Sequence, residues 1–319
     1  METISASIAV VTDAPAGWPT VSIQISEDGL FLMAAPTVVR GSALAKLKDS
    51  STVTLDLVSH DEISQLALYR ARNFKRGTGR PMSVASATEV QGKPLLVITS
   101  KDIVAGELVS ADRIGVLMPS QRYAPLSEVR FEQPTGGTVG GGLIFSWDGR
   151  LVGVLNATLV PFRNEPTAPM ITKIRPGQKV EQFGPRPLVV GYALAPSVLK
   201  RVVGGFLSDD HTPRHPSIGV LYRSNKGGGV EIQTVEPGSP AAEAKLMAGD
   251  IVVSVDGVTI TDNIHMATVL FDSEVNQKRV FGVQRENRKL TLTVTVGELQ
   301  SGSARKPVIP RSTEQSLEW

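Results

Sequence analysis

Residues 235–257 read Val235-Glu236-Pro237-Gly238-Ser239-Pro240-Ala241-Ala242-Glu243-Ala244-Lys245-Leu246-Met247-Ala248-Gly249-Asp250-Ile251-Val252-Val253-Ser254-Val255-Asp256-Gly257. The stretch alternates breakers with short regular runs. Pro237-Gly238 and Asp256-Gly257 are turn pairs, Pro240–Leu246 has helical composition, and Ile251–Val255 is a β-branched run of strand length. Outward from it, further strand-like runs lie at Ile218–Tyr222, Val230–Val235, Val280–Arg285 and Leu290–Val296. A second helix is expected over Asn263–Val275. Together these form an α+β unit over 216–298. Gln300–Trp319 is polar, proline-containing and aperiodic, so 299–319 is expected to be a flexible tail.

Upstream the pattern changes to many short strands. Val21–Ile25 alternates with period two, Glu27-Asp28-Gly29 turns the chain, and Leu30–Leu32 follows. Val53–Leu57, Leu66–Tyr69, Leu95–Ile98, Leu143–Phe145 and Leu151–Leu155 continue the series, and the Asp148-Gly149 pair between the last two marks a hairpin. Such a series indicates a barrel or sandwich. Residues 160–187, with several prolines and no period, read as a long surface loop. Pro196 opens a helix on which Val198, Val202 and Phe206 share a face. The turn-rich 208–215 then separates a first unit, 1–207, from the second.

Bulk properties remove several function classes. The 319 residues suit two domains, with 41% hydrophobic and 20% charged residues. The core must be aliphatic, because only 5% of residues are aromatic. A net charge of +2 without a basic helix or stacking platform argues against nucleic acid. Apolar runs stop far short of the roughly 18 residues of a membrane span. With no cysteine there is no disulfide, thiol nucleophile or thiolate metal site. No metal or other cofactor is expected. METISASIAVVTDAPAGW lacks the basic start and apolar segment of a secretory signal, which leaves a cytoplasmic protein, a mature form or a fragment.

The second unit resembles the PDZ domains of the HtrA family: Val235–Ala242, Met247–Ile251 and Val255–Gly257 follow that family's EPGSPAA, GD and VDG phrases in order, with Lys245 where glycine is usual. The resemblance implies peptide recognition by strand addition. Pro216–Val220 would be the carboxylate-binding loop, with Gly219 permitting close backbone approach, and Ile218, Gly219, Val220, Leu221 and Tyr222 the receiving edge. On the second helix Ile264, Ala267, Phe271 and Val275 are expected to form the core stripe. Met266 and Leu270, nearly opposite, would then wall an apolar ligand pocket; the alternative is two incidental surface hydrophobes.

The first unit resembles the HtrA protease domain, which implies a mainly β, trypsin-like double barrel ahead of the PDZ domain. Ser26–Pro36 follows SxDGxxLTAAH, Asp148–Val154 follows DGxVVGI, and Gly191–Val203 follows GFAIPSxxVKRVV. Such a protease needs a serine nucleophile, a histidine base and an orienting aspartate. The matching positions here carry Val139, Pro36 (Thr37 if shifted by one) and Gln65. The resemblance therefore implies a degenerate triad and a pseudoprotease.

Among the four histidines, His60-Asp61 reads as a solvated pair in a polar loop. His211 and His215 lie in the linker without a nearby acidic or thiol partner for a metal, and His265 lies on the helix that would flank a ligand. Expected partners are peptide or protein carboxyl termini and unfolded segments, an active HtrA relative, and copies of itself in a homotrimer. The family's setting is periplasmic. Two alternatives stand beside the non-catalytic reading: an endopeptidase using displaced residues, and a structural subunit whose groove is blocked, for instance by Ser316-Leu317-Glu318-Trp319.

Overall fold

The structure is a computed structural model, which describes residues 4, 6–13, 21–35, 40–75, 81–117, 122–134, 141–156, 159–161 and 187–299. Six strands close the first barrel: β1 (Ile8–Val11), β2 (Val21–Gln24), β3 (Leu30–Ala34), β4 (Ser42–Lys46), β5 (Thr52–Asp61) and β6 (Leu66–Ala71), in the order β1-β2-β3-β6-β5-β4. The continuous apolar run of β3 has a simple cause: all five of its residues are buried. Phe31 and Met33 enter the barrel's own core with Leu55 and Tyr69, while Leu30, Leu32 and Ala34 face the seam with the second sheet.

A short helix, α1 (Ala87–Val90), leads into the second sheet. Its strands are β7 (Pro94–Ile98), β8 (Ile103–Leu117), β9 (Arg122–Glu132), β10 (Leu143–Ser146), β11 (Leu151–Val154), β12 (Leu159–Pro161) and β13 (Leu188–Leu194), ordered β11-β10-β7-β8-β9-β13 with β12 against β8. Asn156 N donates to Tyr192 O at 3.0 Å, drawing the two edges of this half-barrel together. Part of the expected 160–187 loop is thus strand, since β12 pairs Val160 with Val116; 162–186 lie outside the described residues. The Asp148-Gly149 hairpin forms as expected, with Gly149 at a φ of 90° and Ser146 N donating to Arg150 O.

Helix α2 (Pro196–Phe206) starts with proline at its first turn, where the missing N–H costs nothing. Val198, Leu199, Val202, Val203 and Phe206 bury into the seam core. Each such side chain contributes about 1.5–3 kcal/mol. The segment after α2 runs against its last turn: a Cβ on Gly205 would lie 2.4 Å from Pro213 Cα, so that position must be glycine.

The second unit has a sheet ordered β15-β16-β17-β19-β20, built from β15 (Val220–Ser224), β16 (Val230–Val235), β17 (Ile251–Val255), β19 (Lys278–Arg285) and β20 (Arg288–Thr295). β18 (Val258–Thr259) pairs with β17, and β14 (Pro216–Ser217) with β21 (Gly297–Glu298). Its helices are α3 (Pro240–Glu243) and α4 (Asn263–Phe271), both shorter than their apolar composition predicts. Asp262 stops α4 from starting earlier by accepting from Ile264 N and His265 N. Among the described residues no helix is long and apolar enough to cross a membrane.

The expected division of α4 is reversed. Met266 is fully buried in the core with Ile232, Val252 and Phe281, and Leu270 packs against the same cluster one turn on. Phe271 is also buried, yet it joins the seam core of the barrels. Ile264 and Ala267 are only half-buried. Helical spacing defined two faces correctly but could not say which of them met which core.

Candidate functional site

Two places carry chemistry: the seam between the barrels and the β15–α4 side of the second unit. At the seam, β3 and β6 pair with Ala34 opposite Leu66, and Ala35 N donates to Gln65 O at 2.8 Å. Gln65 is therefore held beside the backbone that leads directly to Pro36. Its φ is 59°, and Gln65 N donates back to Asp61 O at 2.8 Å. The side chain is buried, and Gln65 Oε1 accepts from Asn156 Nδ2 at 2.7 Å.

Asn156 follows β11 on the second sheet, so this bond joins the two barrels. Just before it, Leu155 N donates to Gly142 O and Gly141 N to Leu155 O, each at 2.7 Å. The stretch containing Val139 thus re-enters the described structure one residue from the partner of Gln65. Pro36, Thr37 and Val139 lie outside the described residues. Gln65, which the resemblance would put at the orienting position, is a neutral amide bonded to a second amide, and neither titrates in the working range nor carries charge.

The histidines change the picture most. His60 and Asp61 point to opposite sides of β5 and do not form a solvated pair. His60 Nε2 lies 3.2 Å from Ala35 O, whereas Asp61 turns inward and meets His215. His215 Nε2 is 2.9 Å from both Asp61 oxygens, and Ser64 N donates to Asp61 at 3.1 Å. The linker sequence holds no acidic partner for His215, but β5 of the first barrel supplies Asp61 from 154 positions away, which local sequence could not show. Burial pushes the Asp61 carboxyl up, but the hydrogen bonds and charge of His215 and the bonds from Ser64 outweigh it and hold the group below the ordinary aspartate value.

Among the described residues no nucleophile is hydrogen-bonded to the imidazole of this Asp–His pair. His215 Nδ1 has no hydrogen-bond partner among the described residues, no serine hydroxyl of theirs is held against it, and both side chains are under a tenth exposed. The surroundings are structural. Arg201 of α2 donates to Phe271 O at 2.7 Å and Ser273 O at 2.9 Å, while its guanidinium lies 5.6 Å from the Phe271 ring centroid. Ser197 Oγ donates to Asp272 at 2.7 Å. The cluster fastens the carboxyl end of α4 to the barrels. Burial lowers the Arg201 pKa, opposed by Asp272, Glu274 and Asp61.

On the second unit, β15 is the last strand of its sheet, paired on one side with β16. Leu221 is exposed, while Val220 and Tyr222 pack partly onto the core. Ile218 is buried and its carbonyl accepts from Ala241 N at 3.0 Å. Gly219 has a φ of +71°, and a Cβ there would lie 2.3 Å from Ser239 Cβ, so the loop tolerates glycine alone. At the far end Ser224 Oγ donates to Asn263 Oδ1 at 2.7 Å and accepts from Asn263 N at 3.0 Å, tying β15 to α4. Val220, Leu221 and Tyr222 therefore lie on an edge strand that pairs with β16 alone among the described residues, with Gly219 and the buried Ile218 in the loop leading into it; Leu270 lies beside it against the core, and Met266 does not line it. No group of three or more metal-ligating side chains occurs among the described residues.

The PDZ domain model matches residues 216–296. The serine protease Do-like HtrA of Bacillus subtilis is 22% identical over 275 residues, covering 82% of this chain and 59% of that protein. A probable periplasmic serine endoprotease DegP-like of Halomonas elongata is 24% identical over 283 residues, covering 86% and 55%. The chain thus spans little more than half the length of these relatives. Among solved structures, the HtrA-type protease AlgW with decapeptide superposes with a TM-score of 0.62 at 14% identity, covering 94% of this chain and 98% of that one. The serine endoprotease from Yersinia pestis gives 0.57 at 14% identity, covering 94% and 96%. The chain is a homologue of the HtrA/DegP serine proteases that carries a PDZ domain.

Proposed function

We propose that this protein is a non-catalytic member of its kind that captures carboxyl-terminal or extended peptide segments at β15, with the barrels as scaffold. The boundaries we assign are 1–207 for the barrels, 208–215 for the linker, 216–298 for the PDZ domain and 299–319 for the tail. The observation that carries the reading is Gln65, a buried neutral amide bonded to Asn156 where the family's aspartate would orient its base. Pro36 and Val139 at the other two positions supply no proton acceptor and no oxygen nucleophile. Loss of triad members costs about 10⁴–10⁶ in turnover. A peptide would add to the open edge of β15, with its carboxylate against the loop at Gly219. That the HtrA-type protease AlgW has been solved with a decapeptide and with a tripeptide supports peptide binding. The same reading places the protein in the periplasm, in a homotrimer or beside an active relative, acting on unfolded or damaged chains.

The test is direct. Purified full chain is incubated with unfolded casein and with a serine-reactive fluorophosphonate, and a library of free peptides is screened for binding. We expect no cleavage, no labelling, and peptide binding that weakens when Leu221→Asp places a charge on the edge. Cleavage abolished by replacing one serine overturns the reading in favour of displaced catalytic residues. Failure of every peptide, with and without residues 300–319, favours the structural-subunit reading.

A further inference from the structure

A cavity of about 260 Å³ opens on the first unit, lined by none of the side chains described above. It lies between β1, the β4–β5 turn and the β7–β8 turn, where the two barrels meet. Its floor is aliphatic, from Ile4, Ile8, Leu47, Ile98 and Ile103. Lys46, Lys48 and Lys101 stand at its rim against one acid, Asp102. All three lysines are exposed.

The walls restrict what fits. Each bordering strand is already paired on both sides: β1 with β2 and β4, β7 with β10 and β8. An extended peptide therefore finds no free edge to pair with. Four amides of the turns are already engaged. Leu47 N donates to Ser51 O and Thr99 N to Asp102 O, while Lys101 N and Asp102 N both donate to Thr99 Oγ1. Polyols, sugars and peptides need several donors and acceptors inside a site, and beneath the rim this lining offers methyl groups, with Thr99 and Ser100 confined to the β7–β8 turn. What remains is an apolar body with a single anionic head.

The geometry points to a binding site for a linear amphipathic carboxylate of medium chain length, its tail on Ile4, Ile8, Leu47 and Ile98 and its head between Lys46 and Lys101. The volume is just under the range of ordinary small-molecule sites, roughly 300–1,000 Å³, which suits a short acyl chain rather than a long one. This site is independent of the peptide-binding edge.

The test is calorimetric titration of the full chain with sodium hexanoate, heptanoate and octanoate below their micellar concentrations. One site is expected, with affinity rising about fourfold per added methylene. Octylammonium, with the opposite head charge, should bind at least about tenfold more weakly than octanoate. Lys46→Glu/Lys101→Glu should lose a similar factor. Ile103→Asp, at a half-exposed side chain on the cavity wall, should abolish octanoate binding with an unchanged melting temperature. Absence of heat with every acid, equal binding of octylammonium, or octanoate binding unaltered in both variants each overturns the assignment.

Discussion

Asp61 and His215, 154 positions apart, form a buried pair in which one imidazole nitrogen lies 2.9 Å from both carboxylate oxygens. Removing one partner strands the other without water, a situation that costs about 3–5 kcal/mol. His215→Ala should lower the melting temperature measurably, and Asp61→Asn should do so at pH 6. Asp61 is held below its ordinary value, so its contribution is present above the unfolded value of about 3.9 and fades as pH falls through the lower folded one. Thermal unfolding of wild type and Asp61→Asn from pH 6 to pH 3 should therefore converge at the acid end. Parallel curves would refute this assignment.

The cross-barrel amide pair is tested by Gln65→Ala. Asn156 Nδ2 would lose its 2.7 Å acceptor inside the seam, costing about 1–3 kcal/mol. Denaturant unfolding of Gln65→Ala, Asn156→Ala and the double variant should give a non-additive cycle. Strict additivity would mean the bond contributes nothing.

Lys245 follows α3 with a φ of 63°, in the left-handed region where a side chain crowds the backbone. Arg285 Nη2 donates to its carbonyl at 2.7 Å and braces the turn. Lys245→Gly should stabilise the PDZ domain by about 1 kcal/mol, read as a shift of the urea midpoint. No gain, or a loss, would show that the lysine side chain offsets its own backbone strain.

Much of this architecture was legible before any coordinates. The breakers around 235–257 delimited α3 and β17, and the apolar runs at Leu30, Leu66, Leu95 and Leu151 each became strands. What escaped has identifiable causes. β8 exposes alternate residues from Ile103 to Val109, and β9 buries the polar Ser127 and Glu128 among its apolar residues, so no compact apolar run announced them. β4 carries two buried alanines among exposed residues, a weak alternation. Met266 was misplaced because α4 is apolar on both faces, one for its own sheet and one for the barrels. Gln65 could be picked out by its neighbours Leu66-Ala67-Leu68, but its partner Asn156 could not, because pairing across 91 residues leaves no trace in spacing.

Arg201 holds two carbonyls at the end of α4 and packs over Phe271. Arg201→Ala should free that end: amide hydrogen exchange at 269–274 should accelerate, while exchange in β16 and β17 stays unchanged. Uniform acceleration throughout the PDZ domain would instead mean that the contact supports the whole domain.

Phe271 is encoded with the PDZ domain yet lodged in the interior of its neighbour. Modularity in this chain is therefore incomplete. A PDZ segment excised or transplanted as a cassette would carry a bare aromatic ring into water and leave a hole in the donor. Recombination that keeps both halves sound has to move α2 and that ring together.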